Sequence, residues 1–263
     1  MNTPSVSPSG WKTYDEFAHG IATNRLPPSE RLLGQTLKLA LPARTLSLRF
    51  DQPNELAWDD SVEGDGVDWC ETIEVASDTF FIDITFKARP LVALTVVANM
   101  RTRRVLAVES RVRGAEESGA EPRVAQGFLV GTLDGGTASG LVPHESRDLI
   151  GLRTWQTYSP NHTYEHTYLS SQRYCWQCLV GVQRGHGDVD MATYYKFDEQ
   201  QYIFTFREFL IPVASVFFFN FASKRSTGKF LGLTGDGVIA NNPAGAFMET
   251  ASSTVYPATH QPI

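Results

Sequence analysis

The sequence predicts an all-β protein built from antiparallel barrels, and three observations carry that expectation. Short runs rich in Val, Thr, Tyr, Phe and Trp recur along most of the chain, a composition that suits pleated, half-buried strands. Pro, Asp and Gly turns separate the runs at the close spacing of a meander sheet or barrel. The pattern then begins again halfway along, as if one unit had been duplicated.

Residues 1–30 read as a polar, Pro-containing lead-in, with a short helix expected over Tyr14–Thr23. A first β unit is expected over 31–112, with strands at Gln35–Ala40, Thr45–Phe50, Glu55–Asp59, Asp68–Ala76, Thr79–Lys87, Leu91–Asn99 and Arg104–Val112. Residues 113–148 begin with a charged, Gly-rich stretch and read as a linker, ordered at 126–134 and looped over 135–148. A second β unit is expected over 149–238. Its clearest strands are Tyr164–Leu169, Arg173–Gly181, Met191–Phe197 and Gln201–Leu210. The longest apolar run, Phe209–Phe219, is about half a membrane span and contains Pro212, so it reads as buried sheet. Residues 239–263 read as a tail.

The duplication rests on several echoes. Leu32-Leu33-Gly34 recurs as Leu149-Ile150-Gly151; Trp58 follows Gly34 by 24 residues and Trp176 follows Gly151 by 25. Phe80–Ile84 matches Tyr202–Phe206, each shortly before a proline, Pro90 or Pro212. Thr102–Leu106 matches Thr227–Leu231. Such a repeat is too long for a solenoid and suits a small barrel. Two barrels, or one larger barrel drawn from both halves, satisfy the pattern.

Composition narrows the partners. A net charge of −6 without a basic block speaks against nucleic acid. The opening residues lack an apolar signal region, and no run is long enough for a membrane helix. With three cysteines, Cys70, Cys175 and Cys178, reduced thiols and a cytoplasmic location are expected. The sequence leaves the oligomeric state open, a homodimer being one option.

The second unit gathers the chemistry. His162, Tyr164, Glu165, His166, Tyr168, Tyr174, Trp176, Tyr194, Tyr202, Arg207 and Glu208 fall on adjacent strands where a plain core would use Val, Ile and Leu. A sheet face of Tyr, His and Trp suits a small-molecule cavity; an aromatic core with solvated charges is the plainer explanation. His162 and His166 would stand about 13 Å apart on a strand, too far for one zinc. The Cys175/Cys178 spacing puts the thiols on opposite faces, so no metal site is expected. Alternation places Tyr164, His166 and Tyr168 on one face and Glu165 on the other. The His166 face is the favoured lining, and a desolvated Glu165 is the general base if the other face turns inward. Of Arg207 and Glu208 only one can point inward, and an inward Arg207 would anchor a carboxylate. The catalytic candidates are therefore His166, Tyr164, Glu165 and Arg207. Tyr168, Trp176, Tyr174, Tyr194, Tyr202 and Glu208 are candidates for substrate binding. Asp68, Asp83 and Glu74 of the first unit read mostly as solvated edges, and Trp58 as core.

No Gly-rich nucleotide loop, nucleophile elbow or calcium loop is present, so no cofactor is expected. The remaining options are a cofactor-free lyase or isomerase acting on a conjugated or carbonyl-bearing metabolite, and a non-catalytic carrier or accessory protein.

Several segments resemble a known family. YSPNHTYEHTYL, RYCWQCLVG, the YY of ATYYK, FREFLIP, TGKFLG and the opening WKTYDEFAHGIATNRLPPSERLLG are similar to the molybdenum cofactor biosynthesis protein F (MoaF) family over about residues 10–250, the 112–125 segment excepted. The resemblance implies a lipocalin-like (calycin) barrel, here in tandem. The family's name associates it with biosynthesis and implies no settled reaction.

Overall fold

The computed structural model describes residues 11–263; the first ten residues of the expected lead-in lie outside the described residues. Eight antiparallel strands close the first barrel: β1 (Thr36–Leu41), β2 (Arg44–Gln52), β3 (Glu55–Asp60), β4 (Gly64–Ala76), β5 (Thr79–Phe86), β6 (Arg89–Asn99), β7 (Arg104–Val112) and β8 (Val124–Leu133). A two-residue strand β9 (His144–Glu145) follows. The second barrel comprises β10 (Leu152–Ser159), β11 (His162–Tyr168), β12 (Arg173–Val180), β13 (Gly187–Asp198), β14 (Gln201–Arg207), β15 (Val213–Asn220), β16 (Arg225–Leu233) and β17 (Ile239–Ser253). It closes through β12–β13 and β10–β17 pairing, with β9 added to the outside of β13. The fold is thus two barrels in tandem, not one large one.

The duplication is visible in local geometry. Gly34 and Gly151 both take positive φ, +76° and +90°, and donate their N–H to Phe50 and Tyr168, the matching residues of β2 and β11. The buried Leu32 and Leu149 precede them, which explains the repeated Leu-x-Gly signature: the glycine conformation admits few side chains. Trp58 Nε1 donates to Asp68 at 3.0 Å, and Trp176 Nε1 to Asp190 at 2.9 Å. In each copy a backbone N–H, of Lys87 or Phe209, meets the other carboxylate oxygen. The Thr102/Thr227 echo is out of register: Thr102 precedes β7, whereas Thr227 lies inside β16.

Three boundaries expected from sequence change. The 113–148 stretch holds β8, which pairs with both β7 and β1 and closes the first barrel. Residues 239–253 of the expected tail are β17, which closes the second. The helix, α1 (Tyr14–Ala18), ends before Thr23. It caps the second barrel rather than leading into the first. Tyr14 Oη donates to Phe230 O, Phe17 packs edge-on against Phe230, and Asn24 is hydrogen-bonded to β10.

The outer faces of the barrels meet along a largely apolar seam. Ile73, Val75, Phe81 and Leu106 of the first pack with Phe197, Ile203, Val216 and Phe218 of the second. β5 and β15 are therefore buried on both faces, which is why Val213–Phe219 is almost wholly apolar; Phe209 and Leu210, at the head of the same run, precede β15 and are exposed. Asp83 and Asp68 are buried rather than solvated. Asp83 crosses the seam to form an ion pair with Lys229 and also accepts from Asn241 at 2.6 Å. Among the described residues no helix is long and apolar enough to cross a membrane.

Replacing Lys229 with Met leaves Asp83 a buried, uncompensated carboxylate. Urea unfolding should then show a loss of about 3–5 kcal/mol, most of which Lys229→Met combined with Asp83→Leu restores. A single variant as stable as wild type would refute this role for the pair.

Candidate functional site

The two lumens differ in chemistry although their strands correspond. The β2–β3 register pairs Leu48 with Trp58 and Leu46 with Asp60; the β11–β12 register pairs His166 with Trp176 and Tyr164 with Cys178. Leu46 and Leu48 of the first lumen are thus matched by Tyr164 and His166. Leu56 of β3 is matched by Tyr174 of β12, two residues before the shared Trp. Phe86, which packs edge-on against Trp58, is matched by Glu208, next to the duplicated backbone donor. The first barrel keeps an aliphatic core around Trp58. The second carries hydroxyl, imidazole and carboxyl groups among its rings.

These groups converge on a cavity of about 30 Å³, room for one or two waters. Tyr158, Tyr164, His166, Tyr174, Trp176 and Glu208 line it. Phe17 and Ile21 from the capping segment, Gln183 from the β12–β13 loop, and Phe206 and Phe230 complete the wall. Tyr164 donates to Gln183 Oε1 at 2.8 Å. His166 is buried against Tyr174 and Phe204, and its Nδ1 has no hydrogen-bond partner among the described residues.

Burial dominates the electrostatics. It lowers His166 to about 3, against a weaker upward pull from Glu165, so the imidazole is neutral. It raises Glu208 well above the usual carboxylate range, and Asp190 and Asp188 push the same way. Asp190 is pushed up to about 7 by burial, against the hydrogen bond from Trp176. Burial likewise raises the Tyr158, Tyr164 and Tyr174 phenols. Burial therefore favours a neutral imidazole at His166 and shifts the Glu208 carboxyl toward its protonated form.

Other residues singled out in the sequence lie elsewhere. Glu165 is on the outer face of β11, held by Arg153 at 2.7 Å, Trp155 at 3.0 Å and Gln177 at 2.6 Å. Burial alone would raise its carboxyl, but these bonds outweigh it and hold the group low. It is an anchored external carboxylate, not a desolvated base. Arg207 also points outward, because Phe206 takes the lumen face of β14, and it meets Gln126 of the first barrel at 3.0 Å. Tyr168 is buried beyond the cavity in a network with Thr154, Gln156 and Ser226. Tyr194 donates to Arg173 O and Tyr202 to Asp148, so neither hydroxyl faces the cavity. His162 is tied to Ser159 at 3.0 Å. Cys178 is buried in the lumen cluster, Cys175 is half-buried on the other face, and both are free thiols.

Asp190, Gln183 and Tyr158 escaped the sequence reading. The duplicated Trp–Asp tie was a signal available for Asp190. Gln183 sits in a turn that lengthens the Trp-to-Asp interval from Trp58–Asp68 to Trp176–Asp190.

Comparison with known proteins follows the same division. Residues 9–114 match the MoaF N-terminal domain and residues 143–254 the MoaF C-terminal domain. Protein MoaF of Klebsiella aerogenes is 32% identical over 251 residues, covering 88% of this chain and 90% of that protein. The chain belongs to the MoaF family. In this MoaF-family chain β8 lies between the two matched regions, yet it is an integral strand of the first barrel. Among solved structures, a putative beta-lactamase from Burkholderia vietnamiensis aligns with a TM-score of 0.34 and 13% identity, covering 39% of this chain and 95% of that one. A likeness at that level carries no argument about fold or activity.

The raised Glu208 carboxyl has a consequence for stability. A carboxyl that holds its proton more tightly when folded makes the native state the more protonated one, so stability falls as pH rises above the unfolded pKa. Glu208→Gln removes this penalty. Between pH 5 and 8 the wild type should lose stability relative to the variant, by up to about 1.4 kcal/mol per pH unit. Parallel stability curves, measured by urea unfolding, would show that Glu208 does not titrate in this way.

Proposed function

We propose that the lumen of the second barrel binds a small conjugated or carbonyl-bearing metabolite and acts on it by cofactor-free acid–base chemistry, as a lyase or isomerase. The observation that carries this reading is the contrast between the two copies: positions that hold Leu46, Leu48 and Phe86 in one lumen hold Tyr164, His166 and Glu208 in the other. A buried group without a partner costs stability, and a second, apolar copy of the same barrel folds without that cost.

On this reading Glu208 donates its proton to the substrate's carbonyl oxygen, and neutral His166 accepts one from the adjacent carbon. Entry of a polar substrate rehydrates or hydrogen-bonds the imidazole and raises its basicity toward the ordinary range. Tyr164, whose single O–H is given to Gln183, accepts from the enol hydroxyl with its remaining lone pair. Trp176 supplies an apolar wall. A metabolite exceeds the resting cavity, so Phe17 and Ile21 must move aside for it to enter.

The rival reading is a carrier, favoured by one feature: the capping segment seals an aromatic lumen, an arrangement equally suited to holding a ligand. Mass-spectrometric screening of a metabolite mixture against the protein separates the two, since turnover of a bound compound supports catalysis and retention without change supports carriage. For a substrate so found, His166→Ala and Glu208→Gln should each lower turnover about 10²–10⁴-fold. Tyr164→Phe should cost about 1–3 kcal/mol of transition-state stabilisation. Activity that falls only in step with the folded fraction, followed by thermal melting, would argue for a purely structural role.

A further inference from the structure

A second polar site lies outside the lumen, in a groove lined by β13, by β9 and the residues after it, by the β11–β12 turn and by Arg207 at the end of β14. The groove has a volume of about 600 Å³ and Arg207 on its floor. Arg207 is 91% buried, from its relative exposure of 9%. Among the described residues it has no carboxylate within ion-pair distance; its acceptors are all neutral. Nη1 donates to Gln126 Oε1 at 3.0 Å and Thr205 Oγ1 at 3.4 Å, and Nη2 to Thr193 Oγ1 at 3.1 Å. A guanidinium has five N–H donors, so Nε–H and one N–H of Nη2 remain without a protein acceptor.

The mount is rigid. Gln126 spends its own amide N–H groups on Ser110 and on Ser215 O, which fixes its oxygen toward Arg207 and ties the floor of the groove to both barrels. Burying a guanidinium among neutral oxygens leaves most of its desolvation cost uncompensated. Accordingly, burial and then the nearby Arg173 lower Arg207 to about 10, and it remains charged. Arg147 stands at the groove's rim. Of the acids, Glu145 lines the same groove and Glu121 acts on Arg207 only through space; neither reaches the two free donors.

We infer that this groove is an oxyanion site, which takes the carboxylate or phosphate of a small molecule on the free donors of Arg207. The planar fork suits such a group and is pre-organised by its three neutral tethers. The site is independent of the lumen, since Phe206 and Arg207 are neighbours on opposite faces of β14, and it stands or falls separately from the chemistry proposed there.

The test uses the full chain. Inorganic phosphate and succinate are each titrated at constant ionic strength, with chloride as the balancing anion, while melting temperature and amide NMR shifts are followed. The inference expects a saturable rise in melting temperature for at least one of the two, with shifts concentrated at Gln172, Thr193 and Arg207. The tighter of the two identifies the oxyanion. Arg207→Gln should weaken binding about tenfold or more, and Arg147→Gln, at the exposed rim, by a smaller factor. If Arg207→Gln does not fold, the wild-type shift map and the rim variant decide. Stabilisation no greater than with chloride, shifts scattered over the surface, or undiminished affinity in folded Arg207→Gln would each overturn the site.

Discussion

An eight-stranded barrel encloses just enough space for its own side chains, and that constraint governs both halves of this protein. In the first barrel the space is filled by Leu, Ile and Phe around Trp58. In the second it is filled by rings, and rings pack edge-to-face with gaps that aliphatic chains would close. The residual cavity is where hydroxyl, imidazole and carboxyl groups meet. Its small size follows from the strand count, and its polarity follows from a few substitutions against the sister copy.

The Trp–Asp tie shows what was kept and what was changed. In both copies an indole N–H and a backbone N–H bracket one buried aspartate, which pins two neighbouring strands. Around Asp68 the neighbouring residue is Phe86, and around Asp190 it is Glu208. Burial raises both carboxyls, and the charge of Asp190 adds to the rise at Glu208, so a scaffold device inherited unchanged becomes part of a perturbed site through a single adjacent residue.

Much of the fold was legible because turns and alternation are local. All seven strands expected in the first unit exist within a few residues of their expected ends, and so do the four of the second. The misreadings share a cause: the information was not local. β8 follows a charged, Gly-rich stretch and reads as an ordered piece of linker; its place in the barrel comes from pairing with β1 and β7. β17 looked like a tail because Asn241, Asn242, Pro243 and Gly245 break its β pattern, and its closing partner β10, unlike its hairpin partner β16, lies far back in the chain. Glu165 and Arg207 were ambiguous because both faces of these strands carry polar or buried groups, so alternation gave a period without a phase. The barrel seam supplies the phase. It covers the outer face of β14, gives Arg207 a neighbour in Gln126, and leaves Glu208 to the lumen. The docking of Trp11 and Phe17 on the far barrel had no sequence signal.

The capping segment also orders events during synthesis. The residues that seal the second barrel are made before the first barrel, and the strand that closes the second barrel, β17, is made after the other sixteen strands. The first barrel can therefore complete itself on the ribosome while the segment preceding it still has nothing to dock on. Domains emerge and fold from the N-terminus onward, but here the lid joins a segment made before the first barrel to strands made after it. The lid contacts are long-range, such as Tyr14 to Phe230 across 216 residues. Their late closure means that the lumen stays open to its surroundings until the strands of the second barrel have been made.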